Sequence, residues 1–218
     1  MEPFNLLIAL LPLAAYLTFF GALRLTGRPM VTTGGRDIFA VAIAISGLMV
    51  VGPAELFFPV PAATAFGAAI WPVLGFLYFL IALLVVLSSR PRLIVYGRGP
   101  GALIAPLLRA AQCIDPDARA DEAAGQIEFP AARLHLRVDG TRGGDSAEIF
   151  AYESGIATSL WNRLLVSLRT ELAKEEPASP RSGAVSFAVG IMMLGFLSLK
   201  LFVAYDQVVQ GFQEWLWR

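Results

Sequence analysis

Four long runs, almost free of charge, constrain this chain more than any other feature. They cover residues 4–23, 38–58, 66–88 and 184–205. A bilayer core of ~30 Å is crossed by a helix of ~20 apolar residues, so each run predicts a transmembrane helix. Composition agrees, with 56% hydrophobic and 16% charged residues against about 25% charged in a soluble domain. The run 4–23 follows the acidic opening Met1-Glu2-Pro3 and precedes Arg24 and Arg28. A cleaved signal peptide has a basic start and a small-residue cleavage site, so a retained span is expected.

Basic residues set the expected orientation. The segment between the first two runs carries Arg24, Arg28 and Arg36, and the segment after the third opens on Arg90 and Arg92. Arg181 precedes the fourth run, whereas the N-terminus and "PVPAATA" (59–65) hold no Lys or Arg. The pattern predicts an integral membrane protein with N- and C-termini outside the cytoplasm. Residues 24–37 and 90–183 are then cytoplasmic.

Between Asp37 and Arg90 the only charged side chain is Glu55. On a helix entered from Ile38 it lies ~26 Å along, at ~1.5 Å per residue. Lys200, the only charge in the fourth run, lies ~24 Å along a helix entered from Ala184. An acid and a base thus fall at one depth near the outer boundary. Charge inside the bilayer is costly, which gives three readings: Glu55 and Lys200 pair, both snorkel to the headgroups, or Glu55 serves transport. Pro53 loosens the helix beside Glu55 and frees the Met49 carbonyl.

Residues 90–176 change character. "RLIVY" (92–96), "QIEF" (126–129), "RLHLRV" (133–138) and "AEIFAYE" (147–153) read as strands, and 115–125 as a loop. "IAPLLRAAQCI" (104–114) has apolar residues at 104, 107, 108 and 111, the spacing of a helix. "ATSLWNRLLVSLRTELAKE" (157–175) gives a second helix with Leu160, Trp161, Leu164, Leu165, Leu168 and Leu172 on one side, capped by Thr158 or Ser159. The order β-α-β-β-β-α predicts a small cytoplasmic α+β domain inserted between the third and fourth of four transmembrane helices. Residues 177–183 read as a linker.

Motifs with chemical meaning are few. "YGRGPGALI" (96–104) fits a degenerate phosphate-binding pattern through Gly97, Gly99 and Ala102, with Gly101 between. Pro100 removes one N–H, Pro106 pushes the helix start later, and a tight Gly/Pro turn is the favoured account of the loop. His135 sits on an alternating strand with no partner in view. Arg133 and Arg137 beside it offer an anion or lipid-headgroup face. Cys113 is the one cysteine and His135 the one histidine, so neither a disulfide framework nor a His/Cys metal or haem site is expected. No cofactor is predicted. Lys+Arg and Asp+Glu both total 17, which gives no reason to expect nucleic acid.

The tail 206–218 places Phe212, Trp215 and Trp217 on an apolar side and Gln207, Gln210, Gln213 and Glu214 among its polar residues. It reads as an interfacial amphipathic helix or as a continuation of the fourth span, and in either case as a membrane-interface or docking surface. The function this pattern favours is non-enzymatic: an accessory, assembly or scaffolding subunit of a membrane complex. Its partners would be lipids and other membrane subunits, with self-association open. The alternatives are a sensor binding a small anion through the cytoplasmic domain and a small transporter using Glu55.

Overall fold

The computed structural model describes every residue except 1, 55, 57, 60–65, 142–143, 154, 177–180 and 217–218. The sequence-based readings at Glu55, Trp217 and the first part of the 177–183 linker therefore lie outside the described residues. The chain divides into two compact units. One comprises Met1–Ala22, Ile38–Ser88 and Val185–Arg218; the other comprises Leu23–Asp37 and Ser89–Ala184.

The first unit is helical. Helices α1 (Pro3–Leu25), α2 (Gly34–Met49), α3 (Ile70–Ser88) and α6 (Arg181–Val203) form most of the four segments long and apolar enough to cross a membrane, Pro3–Leu25, Gly34–Pro53, Gly67–Ser88 and Gly183–Val203. Helix α2 widens into a π-helical turn over Val50–Ala54, at Pro53. Proline cannot donate to the carbonyl four residues back, and the helix resolves this locally by opening its ladder. Close approach between helices is made at small residues. A Cβ on Gly21 would strike the Phe187 backbone, one on Gly190 would strike Thr18, and one on Gly47 would strike the Ile8 carbonyl. Ala9, Ala14 and Ala44 are buried at the same level of packing, each 2% exposed or less. Apolar spans lack a solvent-driven attraction in lipid, so such seats carry helix association.

Helix α7 (Tyr205–Leu216) follows α6 after a single break at Ala204. Hydrogen bonds bridge the break: the Ala204 N–H reaches the Lys200 carbonyl at 3.0 Å, and the Val208 N–H reaches the Ala204 carbonyl at 3.0 Å. The tail is thus a helix joined almost directly to the fourth apolar segment.

The second unit holds a six-stranded sheet in the order β1-β2-β6-β5-β4-β3, every neighbouring pair antiparallel. The strands are β1 (Met30–Thr33), β2 (Arg92–Tyr96), β3 (Arg119–Asp121), β4 (Gln126–Phe129), β5 (Leu134–Asp139) and β6 (Ser146–Ala151). Two of these depart from the expected order. Strand β1 comes from the segment between the first two apolar runs and pairs with β2, Val31 opposite Val95. Strand β3 lies inside 115–125, where polar composition favours a loop. Its three residues are held by pairing with β4, and Asp115 organises the turn before them. That carboxylate is 6% exposed and accepts N–H bonds from Asp117 and Ala131 at 3.2 and 3.0 Å, which satisfies a group otherwise costly to bury.

Helices α4 (Pro100–Gln112) and α5 (Thr158–Leu172) complete one core with the inward sheet residues Leu93, Val95, Ile127, Phe129, Leu136 and Ile149. On α5 the buried side carries Trp161, Leu164, Leu165, Leu168 and Leu172, as the periodicity predicts. On α4 the buried side is Leu103, Pro106, Leu107, Ala110 and Ala111, rotated from the 104/107/108/111 reading. The helix also starts earlier than Pro106 implied. Gly99 is the N-cap and Pro100 the first helical residue, a position where a missing N–H and a fixed φ suit the helix. The Thr158 or Ser159 cap is not formed either: Ala157 occupies the cap position with no side-chain hydrogen bond. Arg169 of α5 donates to the Val31 carbonyl at 2.9 Å, tying edge strand β1 to the helical layer.

Candidate functional site

The sheet face opposite α4 and α5 carries the polar residues of the alternating strands. Period-two alternation places Arg92, Tyr96, Glu148, Phe150, His135, Arg137, Asp139 and Glu128 on it. Pairing across strands neutralises much of its charge. Arg92 donates to Glu148 at 3.0 Å, Tyr96 donates to Asp37 at 2.6 Å, and Arg137 donates to the Tyr152 hydroxyl at 2.9 Å. A cavity of about 520 Å³ is lined there by Asp37, Tyr96, Asp139, Thr141 and Glu148.

His135 has a partner that the sequence did not reveal. Its Nδ1 lies 2.7 Å from Glu153 Oε1, and its backbone N–H donates to Oε2 at 3.0 Å. The Glu153 hydrogen bond raises the imidazole above its ordinary value. Burial pulls the Glu153 carboxyl upward, but the ring and backbone hydrogen bonds outweigh it and hold the group below the usual range. The juxtaposition follows from register: Leu136 stands opposite Ala151, which brings the residues after β6 alongside the start of β5. No local spacing encodes it.

Arg133 lies outside the strand that carries Arg137. Strand β5 begins at Leu134, and Arg133 occupies the preceding turn with φ 48°. The alternation that seemed to include it ends one residue short, because the chain must reverse after Pro130.

The glycine loop has a packing role. Gly97 takes φ +86°, a conformation that favours glycine, and donates to the Asp145 carbonyl at 2.6 Å. A Cβ on Gly99 would lie 2.6 Å from the Gly144 oxygen, whereas one on Gly101 would meet nothing within 4 Å. Asp145 also pairs with Arg24. The loop is therefore a seat for the β5–β6 connection, and this geometry favours the tight-turn account over phosphate contact.

On α4 and α5, Glu171 is 8% exposed and accepts from Lys174 at 2.6 Å and Arg109 at 3.0 Å. Lys174, then Arg109, hold its carboxyl below the usual range. Glu175 completes the cluster by pairing with Arg109. Arg109 and Lys174 are themselves well exposed, so water screens these pairs, and the cluster is a surface clamp in which Arg109 of α4 reaches Glu171 of α5.

In the helical unit, Lys200 Nζ lies 5.8 Å from the Phe196 ring centroid. Trp215 stacks on Trp71 with centroids 3.9 Å apart and meets Phe4 edge-on at 6.0 Å. Phe212 meets Phe4 at 5.9 Å. The described part of the tail thus directs two of its aromatic residues onto its own unit. Cys113 is exposed. Among the described residues no group of three or more His, Cys, Asp or Glu is placed to hold a metal ion. Comparison with protein-family models, curated proteins and solved structures finds no match to this chain.

Proposed function

We propose that this protein is a non-enzymatic accessory or assembly subunit of a larger membrane complex. The observation that carries the reading is the contrast between filled and open glycines on the apolar helices. Gly21, Gly47 and Gly190 each seat another part of the same unit, whereas Gly75 on α3 and Gly195 on α6 meet nothing within 4 Å. A glycine inside a helix costs roughly 0.5–1 kcal/mol relative to alanine, and small residues let helix backbones meet in lipid. Large apolar side chains beside the open positions, Phe76 at 63% exposure and Met192 at 68%, provide contact area around such a seat.

The pairing of β1 with β2 supports the proposed orientation. A strand from 30–33 hydrogen-bonded to one from 92–96 requires both loops on one side of any membrane the helices cross. The basic residues of those loops then favour the cytoplasm.

The test is purification from the native membrane in mild detergent, followed by native mass spectrometry. The expected result is stoichiometric company with other chains, lost on Gly75→Leu or Gly195→Leu while helix content is retained. Appearance alone, or only as copies of itself, would reject the reading.

A further inference from the structure

Helix α7 does not run on in the direction of α6. The close seats between α1 and α6, Gly21 against the Phe187 backbone and Gly190 against Thr18, set these two helices antiparallel. At equal rise along both, that register brings Phe4 opposite Ala204. A straight continuation would carry Gly211 ~10 Å beyond Phe4, at ~1.5 Å per residue. Instead, a Cβ on Gly211 would lie 2.8 Å from the Phe4 Cβ. The chain therefore turns at Ala204, and α7 lies across the N-terminal ends of α1 and α3. There Trp71 Nε1 donates to the Trp215 carbonyl at 3.2 Å, and Phe58 meets the Trp71 ring at 5.2 Å.

At ~100° per residue, the side chains of α7 fall into three sectors. Val208, Gly211 and Trp215 form the first and are half-buried, with Gly211 seated on Phe4 and Trp215 on Trp71. The second, ~100° round the helix, is the exposed line Tyr205, Val209 and Phe212, of which Phe212 also meets Phe4 edge-on. The third is Asp206, Gln210 and Gln213, polar and exposed. A simple amphipathic helix has two sides, one apolar and one polar. Three sectors suit a helix at the rim of a bundle, with protein on one side, lipid on the next and water on the last.

We propose that α7 is an interfacial strap, which seats the Tyr205–Val209–Phe212 line in a bilayer at the boundary between headgroups and acyl chains. The 21 residues of the fourth apolar segment extend ~32 Å as a helix, enough to cross a bilayer core, so α7 starts at the core's edge. Its exposed line continues the exposed apolar surface of α6 through Leu199, Phe202 and Val203. The stacked indoles of Trp71 and Trp215 stand at that same end, at the depth where Trp is enriched. Residues 205–216 contain Asp206 and Glu214 but no Lys or Arg, unlike interfacial helices drawn to anionic lipid. The partner is therefore the apolar boundary of the bilayer, whatever its headgroup charge. This strap rests on α6 crossing the membrane and is independent of the subunit reading.

The test uses the full chain in phosphatidylcholine nanodiscs, with Cys113→Ser removing its one native thiol. Nitroxide labels are attached singly through Tyr205→Cys, Asp206→Cys, Val209→Cys, Gln210→Cys, Phe212→Cys and Gln213→Cys. Power-saturation EPR then compares access of molecular oxygen with access of a water-soluble nickel chelate. The expected result is oxygen preference at positions 205, 209 and 212 and nickel preference at 206, 210 and 213, with no trend along the helix. The same profile is expected in phosphatidylglycerol. A steady rise in nickel access from 206 to 213 describes a helix leaving the membrane and overturns the proposal. Nickel preference at all six positions does so too, since water then surrounds the helix. Protection of 205, 209 and 212 from both reagents assigns the line to another copy of the chain, and a profile confined to phosphatidylglycerol makes headgroup charge the attraction; either result rejects the strap. A label through Met192→Cys, midway along α6, separates two levels of failure. Nickel preference there removes the transmembrane reading itself, whereas oxygen preference there with a failed α7 profile removes the strap alone. Circular dichroism checks that each variant keeps its helix content.

Discussion

His135 Nδ1 and Glu153 Oε1 stand 2.7 Å apart across the end of the β5–β6 pair, and the His135 backbone N–H holds the second carboxylate oxygen at 3.0 Å. Residues eighteen positions apart in sequence therefore act as one charged clamp on a strand end. Glu128 adds a weaker attraction, 3.9 Å from Nε2.

This clamp makes stability depend on pH in a defined direction. The imidazole is raised by its Glu153 hydrogen bond, so its contribution is full below the unfolded histidine value and fades as pH rises through the folded one. The Glu153 carboxyl is lowered, so its contribution is full above the unfolded carboxylate value and fades as pH falls through the folded one. The pair is fully effective between the two unfolded values, roughly pH 4.5 to 6.5. Thermal unfolding of wild type and His135→Gln in detergent should differ most in that window and converge as pH rises above it. A constant gap across the range would contradict the clamp.

Arg133 pays a backbone cost that glycine would not. Its φ of 48° lies in the left-handed region, which costs an L-residue roughly 1–2 kcal/mol. Arg133→Gly should stabilise the protein by about 0.5–1 kcal/mol after the greater chain entropy of glycine is subtracted. Denaturant midpoints of the two proteins measure the effect.

Leu107 is fully buried between α4, α5 and the sheet. Leu107→Ala should destabilise the unit by about 2–5 kcal/mol, through lost transfer energy and the cavity left behind. Leu108, one position on and only partly buried, should cost clearly less on the same change. Equal losses would mean that the α4 face has been assigned wrongly.

Gly47 and Gly75 make a matched pair on two apolar helices. A Cβ at Gly47 would collide with the Ile8 carbonyl, whereas one at Gly75 meets nothing within 4 Å. Gly47→Ala should lower the melting temperature of the detergent-purified protein, and Gly75→Ala should leave it unchanged or raise it slightly through better helix propensity. Reversal of that order would remove the distinction on which the subunit reading rests.

Trp215→Ala should remove the stacking on Trp71 and the edge contact with Phe4. Aromatic pairs contribute about 0.5–1.5 kcal/mol beyond area burial. Loss of an exciton signal in the circular dichroism spectrum, with the same loss for Trp71→Phe, would identify the pair in solution.

The sequence by itself determined the features that are periodic or continuous. Four apolar runs, the buried side of α5 and the alternation of β5 are written in neighbouring residues, because helix and strand repeat every 3.6 and 2 positions. Tertiary structure decided what depends on distant pairing. Met30–Thr33 is too short to announce a strand, and becomes one because β2 presents an open edge to it. Residues 119–121 are ordered in the same way by β4. The rotated face of α4 reflects a start at Pro100 that the second proline obscured. Glu153 finds His135 only through sheet register. Such meetings are fixed by three-dimensional packing and leave no trace in local spacing.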